Sequence, residues 1–100
     1  MSINFEYKDV AASKRLEALA EEKLNKLEDK FDFIVNADVY FKLENTSSPK
    51  TGMICDIRIN VPGTTLFSGG NTGAFESAIA EAVNDAKTQL RRRKDKMQAH

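Results

Sequence analysis

The sequence IVNADVYFKL at residues 34–43, the linker ENTSSPKTG at 44–52 and the sequence MICDIRINV at 53–61 decide the fold. Apolar and polar residues alternate through the first and third of these segments, which is the period of a strand that buries one face. The linker is polar and contains Pro and Gly, as is typical of a loop. We therefore expect two neighbouring strands that pair as an antiparallel hairpin. Their buried faces are Val35, Ala37, Val39, Phe41, Leu43, Met53, Cys55, Ile57, Ile59 and Val61.

The segment after this hairpin predicts a further short strand. Pro62-Gly63 has the residue preference of a type II turn and leads into a strand around Thr64 to Ser68. The run Gly69-Gly70-Asn71-Thr72-Gly73 then breaks the pattern. Asn71 or Thr72 is expected to cap the helix that follows. Three consecutive strands joined by short connections favour an antiparallel meander.

One strand and two helices complete the pattern. Alternation of Ile3, Phe5 and Tyr7 with polar residues predicts a strand whose direction in the sheet the sequence leaves open. Ser13 is the expected N-cap of the first helix, and each helix carries one apolar stripe. The stripes are Leu16, Leu19, Ala20, Leu24, Leu27 and Phe31, and then Phe75, Ile79, Ala82, Val83, Ala86 and Leu90.

The element order β-α-β-β-β-α predicts an α+β fold. Because the strands are apolar on one face only, we expect a two-layer sandwich with both helices packed on one face of a four-stranded sheet. A chain of 100 residues is long enough for one modest core, so a single domain over residues 1–100 is expected.

Charge is distributed unevenly along the chain. The 15 Lys and Arg residues balance the 15 Asp and Glu residues overall. From Lys87 to His100, however, six basic residues accompany one acidic residue, so this end carries +5 and the rest −5. A basic helical face on a small folded body is a candidate surface for binding phosphate groups.

The candidate binding residues are cations on both helices. On the second helix, one row consists of Lys87, Arg91 and Lys94, which recur at i, i+4 and i+7. A second pair at i, i+4 consists of Arg92 and Lys96. Arg93 is expected to lie close to the inner seam. On the first helix the cations are Lys23, Lys26 and Lys30. The simpler interpretation is that these are solvated helix faces with cations near helix C-termini. Four consecutive cations at 91–94 repel one another and argue against it.

The aromatic residues favour one kind of nucleic acid. Phe31, Phe33 and Phe41 fit the core, which leaves Tyr40 as a possible exposed ring for stacking on bases. This scarcity favours recognition of the backbone and shape of folded RNA over reading of single-stranded bases.

Catalysis and metal binding are poorly supported. His100 is the only histidine and the final residue, and Cys55 lies on the apolar face of a strand, where a buried thiol is inert. No His or Cys spacing fits a metal site, and no cofactor is expected. The glycines at 69, 70 and 73 are not followed by the Lys-Ser/Thr pair of a phosphate-binding loop. No apolar run can span a bilayer and no signal peptide is visible, so a cytoplasmic location is expected.

Two segments carry a family resemblance. EKLNKLEDKFD at residues 22–32 and QLRRRKDK at 89–96, together with the element order, resemble the ribosome hibernation promoting factor and protein Y family, also called sigma-54 modulation proteins. The resemblance covers nearly the whole chain and implies a non-enzymatic factor whose fold resembles double-stranded RNA-binding domains. It also implies that the protein binds the small ribosomal subunit in the channel for mRNA and tRNA, silencing ribosomes under stress or in stationary phase. The rRNA contacts carried over by position are Lys23, Lys26, Arg91, Arg92, Arg93, Lys94 and Lys96.

The resemblance has departures and leaves alternatives. Relatives often carry Lys where Asp85 stands and Arg where Thr88 stands, so the middle of the second helix is less basic here. The chain resembles the family's short form, for which pairing of ribosomes would need a separate dimerising factor. Neither membrane nor DNA is an expected partner. The alternative is a protein-interaction module that uses an exposed sheet face or edge, and a small-molecule enzyme is a distant third.

Overall fold

The computed structural model describes residues 1–98 and confirms the β-α-β-β-β-α order. The elements are β1 (Ser2–Lys8), α1 (Lys14–Lys30), β2 (Asn36–Leu43), β3 (Met53–Val61), β4 (Thr64–Thr72) and α2 (Phe75–Gln98). His100, which the sequence placed outside any site, lies outside the described residues. No helix among residues 1–98 combines the length and the apolar character needed to cross a membrane.

The four strands form one sheet in the order β1-β2-β3-β4. β2, β3 and β4 are antiparallel to one another, as the meander predicted, whereas β1 runs parallel to β2. The parallel arrangement follows from α1, which returns the chain to the starting end of the sheet before β2 begins. Val39 of β2 pairs with Phe5 on one side and Ile57 on the other, so inward residues stay in register across the sheet.

The core lies between one sheet face and the two helices. Leu24 of α1, Phe41 and Ile57 of the sheet, and Ile79 and Leu90 of α2 are almost completely buried in a single cluster. The Ser13 hydroxyl accepts a hydrogen bond from the Leu16 N–H at 3.2 Å, which confirms the predicted N-cap. The predicted packing of both helices on one sheet face is therefore confirmed.

The ends of β2 differ from the prediction. Val35 is 57% exposed and Leu43 is 43% exposed, although the alternation placed both on the buried face. β2 begins only at Asn36, so Val35 precedes the strand, and Leu43 is its last residue. Alternation fixes the direction of a side chain, but burial also requires a neighbouring element above it.

β4 is longer than predicted and includes the glycines that were expected to end it. Asn71 pairs with Ile54 and Gly70 with Cys55, so the strand continues to Thr72. A Cβ atom at Gly70 would lie 2.2 Å from the Ala78 carbonyl oxygen of α2. The glycine therefore lets the helix backbone approach the strand closely, which is a packing role. Both predicted caps, Asn71 and Thr72, belong to β4, and the residue that precedes α2 is Ala74. Thr72 still contributes to the entry of the helix, because its hydroxyl accepts a hydrogen bond from the Ala74 N–H at 3.2 Å.

The turn between β3 and β4 is the one that the sequence predicted. Gly63 has a φ of 85°, which the third position of a type II turn requires. Val61 pairs with Thr64 directly across the turn, so the hairpin closes with two residues. This turn lies beneath the C-terminal part of α2, where Arg93 contacts it.

Side chains of α2 also reach the outer edge of β4. The Gln89 Nε2 donates to the Phe67 carbonyl oxygen at 2.6 Å, and the Asn71 N–H donates to the Glu81 Oε1 at 3.4 Å. β4 is the last strand of the sheet, and these two backbone groups lie on its free edge, away from β3. The helix thus supplies hydrogen-bond partners that an added strand would otherwise provide.

Candidate nucleic-acid interface

The two helices lie side by side and run in the same direction. Arg15 near the start of α1 forms a salt bridge of 2.6 Å with Glu76 at the start of α2. At the other end, the Lys94 Nζ lies 6.0 Å from the centre of the Phe31 ring, just after α1. α1 has 17 residues and α2 has 24, so α2 is longer by about 10 Å at 1.5 Å per residue. Only the last turn of α2, after Lys94, therefore extends past the end of α1.

A first group of cations lies where the two helices meet. We call Lys30, Lys87, Arg91 and Lys94 the seam cluster. The pKa of Lys87 lies below its ordinary value because the Lys30 ammonium is within hydrogen-bonding reach and repels its charge, with smaller effects from desolvation and Arg91. Among residues 1–98, none of these four cations forms a salt bridge with an acidic side chain. The fold therefore brings like charges together that no salt bridge of the described residues neutralises.

Lys94 is held at the end of α1. Its ammonium lies over the face of the Phe31 ring, whose negative quadrupole attracts a cation. Phe31 is the C-cap of α1, where exposed carbonyl groups carry the negative end of the helix dipole. Both effects keep Lys94 beside the seam, with the side chain still exposed.

A second group of cations lies on the side of α2 that faces the start of β4. Arg92, Arg93 and Lys96 line a groove together with Thr64, Leu66 and Gln89. Arg92 and Lys96 are exposed, and we call this pair the flank pair. They lie one turn apart on the same side of the helix.

Arg93 faces the β3–β4 turn and not the outer surface of α2. Its Nη2 donates to the Pro62 carbonyl oxygen at 3.0 Å, and its Nε is buried without a partner within the described chain. Arg93 follows Leu90 by three residues, so it continues the core-facing stripe of α2 over the β3–β4 turn. The expected position of Arg93 close to the inner seam is confirmed.

The three lysines of α1 are placed differently from one another. Lys30 joins the seam cluster, as described, whereas Lys26 forms a salt bridge of 3.6 Å with Glu22. Lys23 is half-buried. Their spacing puts all three on one side of α1, so Lys26 and Lys23 lie one and two turns before Lys30. The structure therefore brings one of the three against the cations of α2.

The opposite face of the sheet has a different character. Arg58 lies over the Tyr40 ring at 5.6 Å, and its Nη2 donates to the Tyr40 hydroxyl at 2.7 Å. Tyr40 is therefore half-buried in a polar network and is a less free ring than the sequence suggested. Phe67 on β4 is 66% exposed and was missed, although the alternation of β4 could have placed it outward. The charges of this face are largely paired, as Lys42–Asp56 and Arg58–Asp38 show, each at 3.1 Å.

The one cysteine is a packing residue. Burial raises the pKa of the Cys55 thiol to about 12, so the reactive thiolate is not formed at neutral pH. This confirms the buried position that the sequence predicted. Among the residues that the structure describes, no three His, Cys, Asp or Glu side chains are grouped to hold a metal ion.

Comparison with solved structures defines the class of fold. A ribosomal subunit interface protein from Coxiella burnetii has a TM-score of 0.81 and 24% identity, with 95% of this chain and 99% of that chain covered. The Thermus thermophilus protein Y N-terminal domain has a TM-score of 0.77 and 22% identity, with 92% and 98% covered. At these identities the likeness shows the fold alone, an α+β sandwich. No match to the sequence was found among curated proteins.

A family model identifies the sequence itself. Residues 3–98 match the model of the Sigma 54 modulation protein / S30EA ribosomal protein family, and the chain belongs to this family. The resemblance carried by residues 22–32 and 89–96 is thereby confirmed. The family consists of ribosome-associated factors that are not enzymes.

Proposed function

We propose that this protein binds the small ribosomal subunit through rRNA and inhibits translation by occupying the channel for mRNA and tRNA. Within this proposal it acts in the cytoplasm under stress or in stationary phase, as one ribosome-binding domain over residues 1–100. Membership of the family supports association with ribosomes. The single observation that carries RNA binding is the seam cluster.

The seam cluster is an arrangement that favours an anionic ligand. Lys30 and Lys87 repel each other in the free protein, and an anion placed between them would neutralise that repulsion. An RNA phosphate is such an anion, and binding it also releases counterions from the RNA. Arg91 adds a planar group suited to two parallel hydrogen bonds with phosphate oxygens, and Lys94 adds a point charge.

Inhibition would follow from the size of the bound domain. The molecule measures 48 × 25 × 19 Å, and the cations lie on its helical layer. A body of this size that is held by rRNA phosphates excludes other ligands from the same space. No catalytic step is required, so the inhibition is reversible and competes with mRNA and tRNA.

Co-sedimentation with ribosomes over a series of salt concentrations tests the proposal. The variant Arg91→Glu/Arg92→Glu/Lys94→Glu should stay in the supernatant, because three exposed cations become repulsive to phosphate. The matched control Lys8→Glu/Lys14→Glu/Lys50→Glu changes charge equally at exposed positions outside both cation groups and should still sediment. Added tRNA and mRNA should displace the unmodified protein. Equal binding by both folded variants would contradict the proposal.

One observation favours the second candidate function, a protein-interaction module. Phe67 is the most exposed large apolar residue of the described chain and lies on the outer sheet face, away from the helices. Exposed aromatics beside Tyr and Arg are typical of protein interfaces. Phe67→Ser should leave ribosome binding intact if the helical cations carry it. Loss of binding in this variant, with binding retained in the triple Glu variant, would favour the second function.

Pairing of ribosomes is a separate question. We propose that a separate ribosome-dimerising factor is needed, because the cations of this domain are used on the small subunit and the outer sheet face is largely charge-paired. A sucrose gradient of purified ribosomes with this protein alone tests the idea. A ribosome-dimer peak would show a pairing surface within this chain.

A further inference from the structure

The cations in the second half of α2 form two rows on opposite sides of the helix. At 100° per residue, the row of Lys87, Arg91 and Lys94 lies about 150° around the axis from the flank pair. The crest between the rows holds Asn84, Thr88 and Asp95, all exposed and none of them basic. A helix that bound one strand along its outer surface would be expected to carry its cations on this crest.

The first row is fixed by α1. Lys87 lies against Lys30, and Lys94 lies over the Phe31 ring at 6.0 Å. These contacts hold the α2 residues of the seam cluster on the side of α2 that faces the C-terminal end of α1. A phosphate bound there would be shared between the two helices.

The second row is fixed by the β3–β4 hairpin. The flank pair lines a groove with Thr64 and Leu66 of β4, and Arg93 underlies it through its bond to the Pro62 carbonyl oxygen. Farther back on the same side of α2 are Glu81 and Asp85. Because these acids would repel a phosphate, binding on this side of α2 is confined to the last turns of the helix, where the flank pair lies.

We propose that α2 bridges two separate RNA backbone segments, one at the seam cluster and one at the flank pair, as base-paired RNA presents them. This proposal rests on the proposed RNA-binding function and names the class of RNA. A helix with its side chains is about 10 to 12 Å across, so the two phosphate contacts are about that far apart. A duplex presents two backbones on either side of a groove, whereas one extended strand supplies phosphates to one row only.

The test compares an RNA duplex of 16 base pairs with a single strand of the same length, each titrated at several salt concentrations. Lys87→Gln/Arg91→Gln removes two cations of the seam cluster, and Arg92→Gln/Lys96→Gln removes the flank pair. On the duplex, each double variant should flatten the salt slope by about 1.8, and the quadruple variant should flatten it by about twice as much. On the single strand, each double variant should keep most of its affinity, and the quadruple variant should lose it.

The outcomes separate this proposal from the general one. A duplex slope that changes with only one of the two pairs would overturn the bridging and leave RNA binding standing. Failure of the unmodified protein to bind either RNA or ribosomes would overturn both. Because these residues are exposed or half-buried at the surface, melting temperatures of all variants should match the unmodified protein, which controls for misfolding.

Discussion

Truncation of Leu90 is the most direct test of how the basic end of α2 is held. Leu90 is fully buried and is the last buried residue of the helix, so the cationic turns that follow depend on its packing. Replacing a buried Leu by Ala removes apolar contacts and leaves a cavity, which costs about 2 to 5 kcal/mol. Total stabilities are about 5 to 15 kcal/mol, so Leu90→Ala should remove a large part of the free energy of unfolding. Even a loss of about 2 kcal/mol lowers the melting temperature by about 8 to 16 °C in a domain of this size.

Urea denaturation followed by far-UV circular dichroism measures this effect. Leu90→Ala should lower the midpoint with little change in the slope, because the variant unfolds a similar surface. The matched control is Arg92→Ala, an exposed position two residues later, which should change stability by no more than about 0.5 kcal/mol. Leu90→Asp should cost more than Leu90→Ala, because it buries an unpaired charge. Equal midpoints for Leu90→Ala and Arg92→Ala would refute the helix phase on which the assignment of both cation groups depends.

Two further predictions concern the close approach of α2 to β4 and the seam cluster. Gly70→Ala should destabilise the protein by about 1 to 3 kcal/mol, because its Cβ would meet the Ala78 carbonyl of the helix backbone. Gly69→Ala is the control and should cost less, because its Cβ would lie 2.6 Å from the carboxylate of Asp56, a side chain that can move. Similar melting temperatures for these two variants would contradict that packing. Lys30→Gln should raise the pKa of Lys87 toward its ordinary value, as NMR titration of the lysine side chain would show. The repulsion exists while both ammonium groups are charged, so Lys30→Gln should stabilise the protein at neutral pH, and the gain should disappear as the pH rises through the lowered pKa of Lys87.

The sequence predicted the parts of this structure that depend on periodicity. β3 alternates from Cys55 to Val61, and α2 repeats its apolar stripe from Ile79 to Leu90, so each strand or helix and its buried face could be identified. Gly69 and Gly70 were expected to end β4 because glycine weakens a strand. Glycine also occurs within a strand where another backbone approaches closely, and the sequence does not distinguish these two cases. At Gly70 the position of the Ala78 carbonyl oxygen shows that the second applies.

The sequence predicted which cations belong to the candidate site but not how they lie relative to one another. Spacing showed that Lys87, Arg91 and Lys94 share a side of α2, since this depends on helix geometry alone. The contact between Lys30 and Lys87 depends on the parallel packing of two helices separated by three strands, which no local pattern encodes. The bond from Arg93 to Pro62 likewise depends on where the β3–β4 turn lies under the helix.

The hydrogen bonds from α2 to the outer edge of β4 limit how copies of this protein could assemble. Strands add to a sheet only where backbone groups are free, and here the Phe67 carbonyl and the Asn71 N–H already have partners on the helix. β1 remains as the other edge of the sheet. Two copies could pair there about a twofold axis, and that pairing would use up the edge of both. A strand added at the β4 edge would have to displace the hydrogen bonds from Gln89 and Glu81, whereas a strand added at β1 would not, so the structure favours a closed pair at β1 over extension into a fibre.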